Sequence, residues 1–196
     1  MTETLLAWGV EPVAVTRFCE QPGYRSVGGT KNPDVAAIVE LRPDLVVMDR
    51  EENRREDAEA LSGAGVEVLA LHVRSVDDVG PNLEVLAGAV GLAASAAEPI
   101  PKIELVLRAW VPIWRRPWMT ISSATYGSSL LERIGVVNVF ADAPDTYPKC
   151  TLEEASALKP DVVLAPSEPY KFTDRHCSEL QGVAPVVFVD GKDLFW

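Results

Sequence analysis

Leu41-Arg-Pro-Asp-Leu-Val-Val47 and Leu158-Lys-Pro-Asp-Val-Val-Leu164 stand 117 positions apart in a chain of 196 residues and nearly match. In each, a helix-like stretch (Val35 to Leu41, Leu152 to Leu158) runs into a proline, which has no N–H to continue a helix, and an apolar run follows. The match extends outward. Upstream, Leu5-Leu6-Ala-Trp-Gly9-Val and Val13-Ala-Val15 answer Leu130-Leu131-Glu-Arg-Ile-Gly135-Val and Val139-Phe-Ala141. Downstream, Leu61 to Leu69 answers Leu180 to Phe188. Three blocks in one order, at offsets of about 117 to 126, point to one αβ unit used twice. A two-lobed α/β chain is expected to hold a ligand between its lobes.

Working along the chain, helices are expected at Thr2–Trp8, Asp34–Leu41, before Gly63–Gly65, from Val76 to Ala97, at Tyr126–Ile134 and at Leu152–Leu158. Strands are expected at Pro12–Thr16, Leu45–Met48, Val66–Val73, Leu105–Ile113, Val137–Ala141, Asp161–Ala165 and Val186–Asp190. The unbroken apolar run Leu45–Met48 reads as a parallel strand covered on both faces. Pro99 and Pro101 close the helix from Val76. The domain reading is an N-terminal αβ lobe over 1–77, a helical connection over 78–101 and a C-terminal αβ lobe over 102–196.

Composition narrows the function classes. With 18 basic against 29 acidic residues the net charge is −11, which opposes a phosphate-backbone partner; nucleic acid is not expected. Cys19, Cys150 and Cys177 are odd in number and lack CxxC spacing, so free thiols are expected rather than disulfides or a zinc site. His72 and His176 are too few for a bare divalent metal. No run reaches 18 apolar residues, so direct membrane insertion is not expected. Met1-Thr-Glu-Thr opens without a basic n-region or apolar h-region, so nothing in these residues exports or anchors the chain. G-x-S-x-G, Walker, G-x-G-x-x-G and H-E-x-x-H signatures are absent, and Ser156-Ala-Leu-Lys159 matches S-x-x-K by chance.

Taken together, the helix at Thr2-Glu-Thr-Leu-Leu, Gly9, a strand ending near Arg17, the Gly28-Gly29 turn, the Asp34–Met48 phrase, one long helix and a second lobe running through Ser167-Glu-Pro-Tyr170 resemble a known family. It is the helical-backbone substrate-binding proteins of ABC importers for iron-siderophores, haem and vitamin B12. The resemblance implies two αβ lobes with parallel sheets joined by a single long helix, small lobe motions, a ligand cleft between the lobes, and no catalysis or cofactor. Family members open with an export signal and a first strand and end with a further helix; none is seen before Thr2 or after Trp196, so a truncated, mis-started or naturally reduced member is expected. By resemblance the protein would work in the periplasm or at the cell surface as a monomer, with an ABC permease as partner.

Strand ends that face the cleft would present Arg17 and Phe18; Asp49, Arg50 and Asn53; Trp114, Arg115, Arg116, Trp118 and Tyr126; Glu168 and Tyr170; and Phe195 and Trp196. Aromatic faces cover a corrin, porphyrin or catecholate, and arginine forks hold carboxylate or phosphate. The ligand expected is therefore a metal chelate: a corrinoid such as cobalamin, haem or a ferric siderophore. Tryptophans in the core with arginines in solvent are the alternative for Trp114–Trp118, and a solvated helix start is the alternative for Asp49–Arg55. By resemblance, Glu51, Glu52 and Glu168 are candidates for docking onto permease arginines; surface carboxylates without a partner are the alternative. A cytoplasmic tetrapyrrole chelatase-like enzyme, or a fragment without activity, are the rival readings of the whole chain.

Overall fold

In both copies of the heptapeptide the basic residue takes the left-handed backbone, Arg42 at φ 48° and Lys159 at φ 52°. Proline after it crowds the right-handed helical region, so the helix stops there and the chain turns into a strand. The repeat seen in sequence is thus a repeat of backbone geometry.

The computed structural model describes residues 1–93, 101, 103, 104 and 106–195. Its contacts divide the chain into two units, Met1–Val73 with Gly80–Ala96, and Arg74–Val79 with Ala97–Trp196. In chain order the first half holds helix α1 (Thr2–Ala7), the hairpin β1 (Gly28–Gly29) and β2 (Asn32–Pro33), α2 (Val35–Leu41), β3 (Val46–Asp49), α3 (Arg55–Gly63), β4 (Val68–Leu71) and α4 (Val76–Ala89). Strands β3 and β4 pair in parallel, Val46 opposite Val68 through Asp49 opposite Leu71. Asp34 caps α2 by accepting the Ala37 N–H at 3.0 Å. Ile38, Met48 and Leu61 are the buried core here.

Three sequence expectations are corrected in this half. Pro12–Thr16 forms no strand: it makes a single bridge, Val15 with Ser26, and leaves Val13 62% exposed. The run Leu45–Met48 is not covered on both faces, since only Met48 is buried and the sheet has just two strands. The helix expected to reach Ala97 ends at Ala89. There Gly91 adopts φ 73°, its N–H bonds Gly88 O, and Leu92 N–H reaches back to Ala87 O at 2.8 Å. That pair of bonds is a Schellman stop, favoured by glycine's tolerance of positive φ, and it acts before Pro99 can. Residues 94–97 of the expected helix lie outside the described residues.

The second half adds β5 (Leu107–Trp110), β6 (Pro112–Trp114), β7 (Trp118–Thr120), α5 (Tyr126–Arg133), β8 (Val136–Asn138), β9 (Lys149–Cys150), α6 (Leu152–Ala157), β10 (Val162–Pro166), a 3-10 turn (Asp174–His176), α7 (Cys177–Leu180), β11 (Val186–Val189) and α8 (Gly191–Phe195). Leu105 of the expected strand Leu105–Ile113 lies outside the described residues, and the rest is in fact two strands, because the chain leaves one sheet after Trp110 and enters another at Pro112. The hairpins at Gly28–Pro33 and the strand β9 are too short to carry a periodic signal. The residues after β11, given no element from sequence, begin α8.

Strands β11-β10-β5-β8 form a parallel sheet, and β6-β7-β9 an antiparallel one. Side chains of successive strand residues point to opposite faces. Ala109, Val111 and Val162 accordingly join one buried cluster with Ile121, Leu131 and Leu194, while Trp110, Val163 and Ala165 join another with Phe172 and Leu180. Both faces of this sheet are covered, as parallel sheets require. Residues 74–79 belong to this unit through Arg74, which donates twice to Ala124 O (3.1 and 2.9 Å), Val76 N–H on Ser129 Oγ (3.0 Å) and the Asp77–Arg133 ion pair.

Cys150 lies within the second cluster, beside Trp110. Burial first, and then the charge of Glu154, push its thiol from 9.0 up to about 11. The folded state therefore holds a proton that the unfolded chain releases from about pH 9, so this stability is intact below that pH and is lost as pH rises toward about 11. Denaturant midpoints should fall across that window, and Cys150→Ala should flatten the fall. An unchanged slope in the variant would assign the effect to other groups.

Candidate functional site

The hairpin of β6 and β7 sorts the two tryptophans of the Trp114–Trp118 stretch. Trp118 and Met119 are neighbours in β7, so their side chains part: Met119 packs on the first buried cluster and Trp118 on the second. Trp118 stacks on Phe172 with ring centroids 6.0 Å apart and planes 6° apart, and meets Trp110 edge-on at 5.7 Å. Trp114, at the irregular end of β6, stays 45% exposed and meets Tyr170 edge-on at 5.6 Å. One tryptophan is thus core and the other is presented to solvent.

Between them, Arg115 and Arg116 differ as much. Arg115 Nε bonds Glu179 Oε2 at 2.8 Å and its guanidinium lies 5.9 Å from the Trp118 ring centroid. The bond to Glu179 raises its already high pKa, so it is cationic at every relevant pH. Arg116 is exposed, at φ 68°, ahead of a cis bond to Pro117.

The loop after β10 supplies the other wall. Tyr170 lies 4.8 Å from Phe172 and 5.6 Å from His176, ring to ring. Its hydroxyl is 3.3 Å from His176 Nε2. His176 is 6% exposed, and its Nδ1 accepts the Thr173 N–H at 3.0 Å. Phe172 and His176 escaped the sequence reading as site residues. The spacing Tyr170-Lys-Phe172 was a usable signal, since alternate residues of an extended segment share a face.

Other sequence-selected residues lie elsewhere. Tyr126 is the first residue of α5, half-buried behind the Thr125 cap and outside the ring contacts just described. Phe195 packs against the first buried cluster and over Gly127, where a Cβ would come within 3.0 Å of its ring. Glu168 is half-buried, its backbone tight against Gly191. Trp196 lies outside the described residues.

In the first unit, the residues after β3 build a tight turn. Asp49 Oδ1 accepts the N–H groups of Glu51 and Glu52 at 2.8 and 3.1 Å. Asn53 Oδ1 accepts Asp49 N–H at 2.9 Å, and its amide donates to Thr30 O at 3.0 Å. Glu51 meets His72 Nε2 at 3.2 Å, Lys31 Nζ donates to Glu51 O at 2.6 Å, and Thr30 Oγ1 donates to Glu52 at 3.3 Å. Arg50 is exposed. Arg17 bonds Asn32 Oδ1 at 2.5 Å and covers the Phe18 ring, which is 70% exposed. Thr30, Lys31 and His72 were not selected from sequence as site residues; only the fold brings the hairpin between β1 and β2 against the Asp49 turn. Among the described residues, no group of three His, Cys, Asp or Glu is placed to hold a metal ion, and no helix is long and apolar enough to cross a membrane.

The sequence model of the periplasmic binding proteins matches residues 1–111, more than half of the chain. The chain belongs to that family. A vitamin B12-binding protein of Pectobacterium carotovorum is 23% identical over 95% of this chain and 75% of its own length, and that of Salmonella typhimurium is 24% identical over 83% and 68%. The chain spans 62–75% of the length of the vitamin B12-binding relatives it matches. Among solved structures, a periplasmic heme-binding protein of Vibrio cholerae superposes with a TM-score of 0.80 at 20% identity, covering 98% of this chain and 87% of that one. The periplasmic vitamin B12-binding protein of the same organism gives 0.71 at 19% identity, over 100% and 82%. These structures share the fold, an α/β arrangement with parallel sheets in each unit. As a periplasmic binding protein of the kind that serves ABC importers, the chain belongs with binders rather than enzymes, which removes the chelatase-like alternative.

Proposed function

We propose that this periplasmic binding protein carries a metal chelate, a corrinoid, a haem or a ferric siderophore, against the Trp114–Tyr170 surface of its second unit, and delivers it to an ABC permease. One observation carries the reading: a tryptophan left 45% exposed, edge-on to a tyrosine, on the same hairpin as two arginines. A large exposed ring costs little conformational entropy to order on a flat ligand, and a guanidinium at its rim answers the carboxylates, phosphates or amides around such chelates. The names of the relatives, vitamin B12-binding and heme-binding, support the same ligand class. Glu51, Glu52 and Glu168 are proposed as the residues that meet the permease, and residues 78–101 as the connection between lobes.

Titration with cyanocobalamin, haem and a ferric catecholate siderophore, followed by tryptophan fluorescence and ligand absorbance, tests it. One of the three should bind saturably, and Trp114→Ala should weaken that chelate by about tenfold, the scale of a central aromatic contact. Failure of all three to quench a folded protein, or an unchanged affinity in Trp114→Ala, would overturn the proposal.

A further inference from the structure

The tautomer of His176 is determined by its surroundings. It stands third in the 3-10 turn Asp174–His176, where a Glu or Gln commonly closes a capping box, and its Nδ1 takes that role by accepting Thr173 N–H at 3.0 Å. A backbone amide is always a donor, so Nδ1 must carry the lone pair, and the proton of the neutral ring sits on Nε2. Nε2–H then donates to the Tyr170 hydroxyl oxygen, 3.3 Å away. The imidazole is buried and gripped by Tyr170 and Phe172, with centroids 5.6 and 5.5 Å distant, which holds this arrangement.

A phenol oxygen that accepts from the His176 ring keeps its own proton for another acceptor. We propose that Tyr170 is a specificity-determining hydrogen-bond donor of the chelate surface, aimed outward by His176 as its positioning residue, and that it recognises an anionic oxygen, carboxylate or phosphate, on the chelate's periphery. This rests on the chelate-binding reading above and adds which chelates are accepted: those with an oxyanion within reach of a ring lying on Trp114.

Two probe pairs test it in the full chain: haem against haem dimethyl ester, which differ at the carboxylates, and cyanocobalamin against dicyanocobinamide, which lacks the nucleotide loop that carries the phosphate. Tyr170→Phe keeps the ring and removes the donor. It should weaken haem or cyanocobalamin by about tenfold, the scale of a hydrogen bond to a charged acceptor, and change the ester or cobinamide less than about twofold. The haem arm identifies carboxylate and the cobalamin arm phosphate. His176→Phe should weaken the anionic probe by about fivefold, His176→Gln should restore it, and neither change should add to Tyr170→Phe. Nitrogen-15 NMR of the unliganded protein should find His176 neutral with its proton on Nε2. Equal losses for both members of a pair, or a proton on Nδ1, overturn the inference while leaving chelate binding intact. Wild-type protein that binds none of the four overturns both.

Discussion

Trp110→Ala should lower the unfolding free energy by about 3–5 kcal/mol, the range for truncating a large aromatic in a packed core. Trp110 has no exposed surface, its strand partner in β10 is Val163, and its ring meets the Trp118 of the Trp118–Phe172 stack edge-on. Removing it leaves a void that Val163, Ala165 and Leu180, all fully buried, have little freedom to fill. The indole Nε1 is buried without a hydrogen-bond partner in the geometry of the described residues, and the Cys150 sulfur lies in the same cluster. Trp110→Phe deletes that unsatisfied donor along with some packing, so its loss should be well under half that of the alanine. Denaturant unfolding followed by far-UV circular dichroism measures both. An alanine variant within about 1 kcal/mol of wild type would place the ring outside the cooperative core.

Gly191→Ala is expected to cost about 2–3 kcal/mol, the upper part of the range for overfilling a packed site. A Cβ at Gly191 would lie 2.6 Å from Glu168 N, 2.7 Å from Glu168 O and 2.9 Å from its Cβ. Two of these are backbone atoms, so relief requires shifting the loop that ends in Tyr170. The same residue anchors the other side, since its N–H donates to Ser167 Oγ at 2.9 Å while Ser167 Oγ donates to Asp190 at 3.2 Å. The substitution should therefore weaken chelate quenching as well as stability. Gly88→Ala is the control, because nothing lies within 4 Å of its Cβ and it sits exposed inside α4, ahead of Ala89 and away from Pro81. It should be neutral or stabilising by up to about 1 kcal/mol. Equal effects at the two positions would show that the loop yields.

The candidate surface was legible in sequence as far as residue type and order could carry it. Trp114, Arg115, Arg116, Trp118 and Tyr170 are all chosen by chemistry and by their place after apolar runs, and the fold pairs Trp114 with Tyr170 and Arg115 with Trp118. Their division of labour was not legible. Trp118 turns into the core and Trp114 outward because of the register of β7 and the irregularity at the end of β6, which depend on partner strands distant in sequence. Phe172 and His176 enter the cluster only because the chain folds back after β10. In the first unit, the same ignorance of partners made Pro12–Thr16 look like a strand.

By itself the sequence determined where helices yield to strands. Arg42-Pro43 and Lys159-Pro160 force the turn through a clash between adjacent residues, which needs no other part of the chain, and repeating that phrase with its neighbours was enough to imply a duplicated α/β unit. What only the tertiary structure decided is which faces are covered and which side chains meet. Leu45–Met48 and Val162–Ala165 read alike, yet the first lies in a two-stranded sheet with one buried residue and the second in a four-stranded sheet buried on both faces. Burial depends on neighbours supplied from far along the chain. So does the tautomer of His176, which one backbone N–H at Thr173 determines.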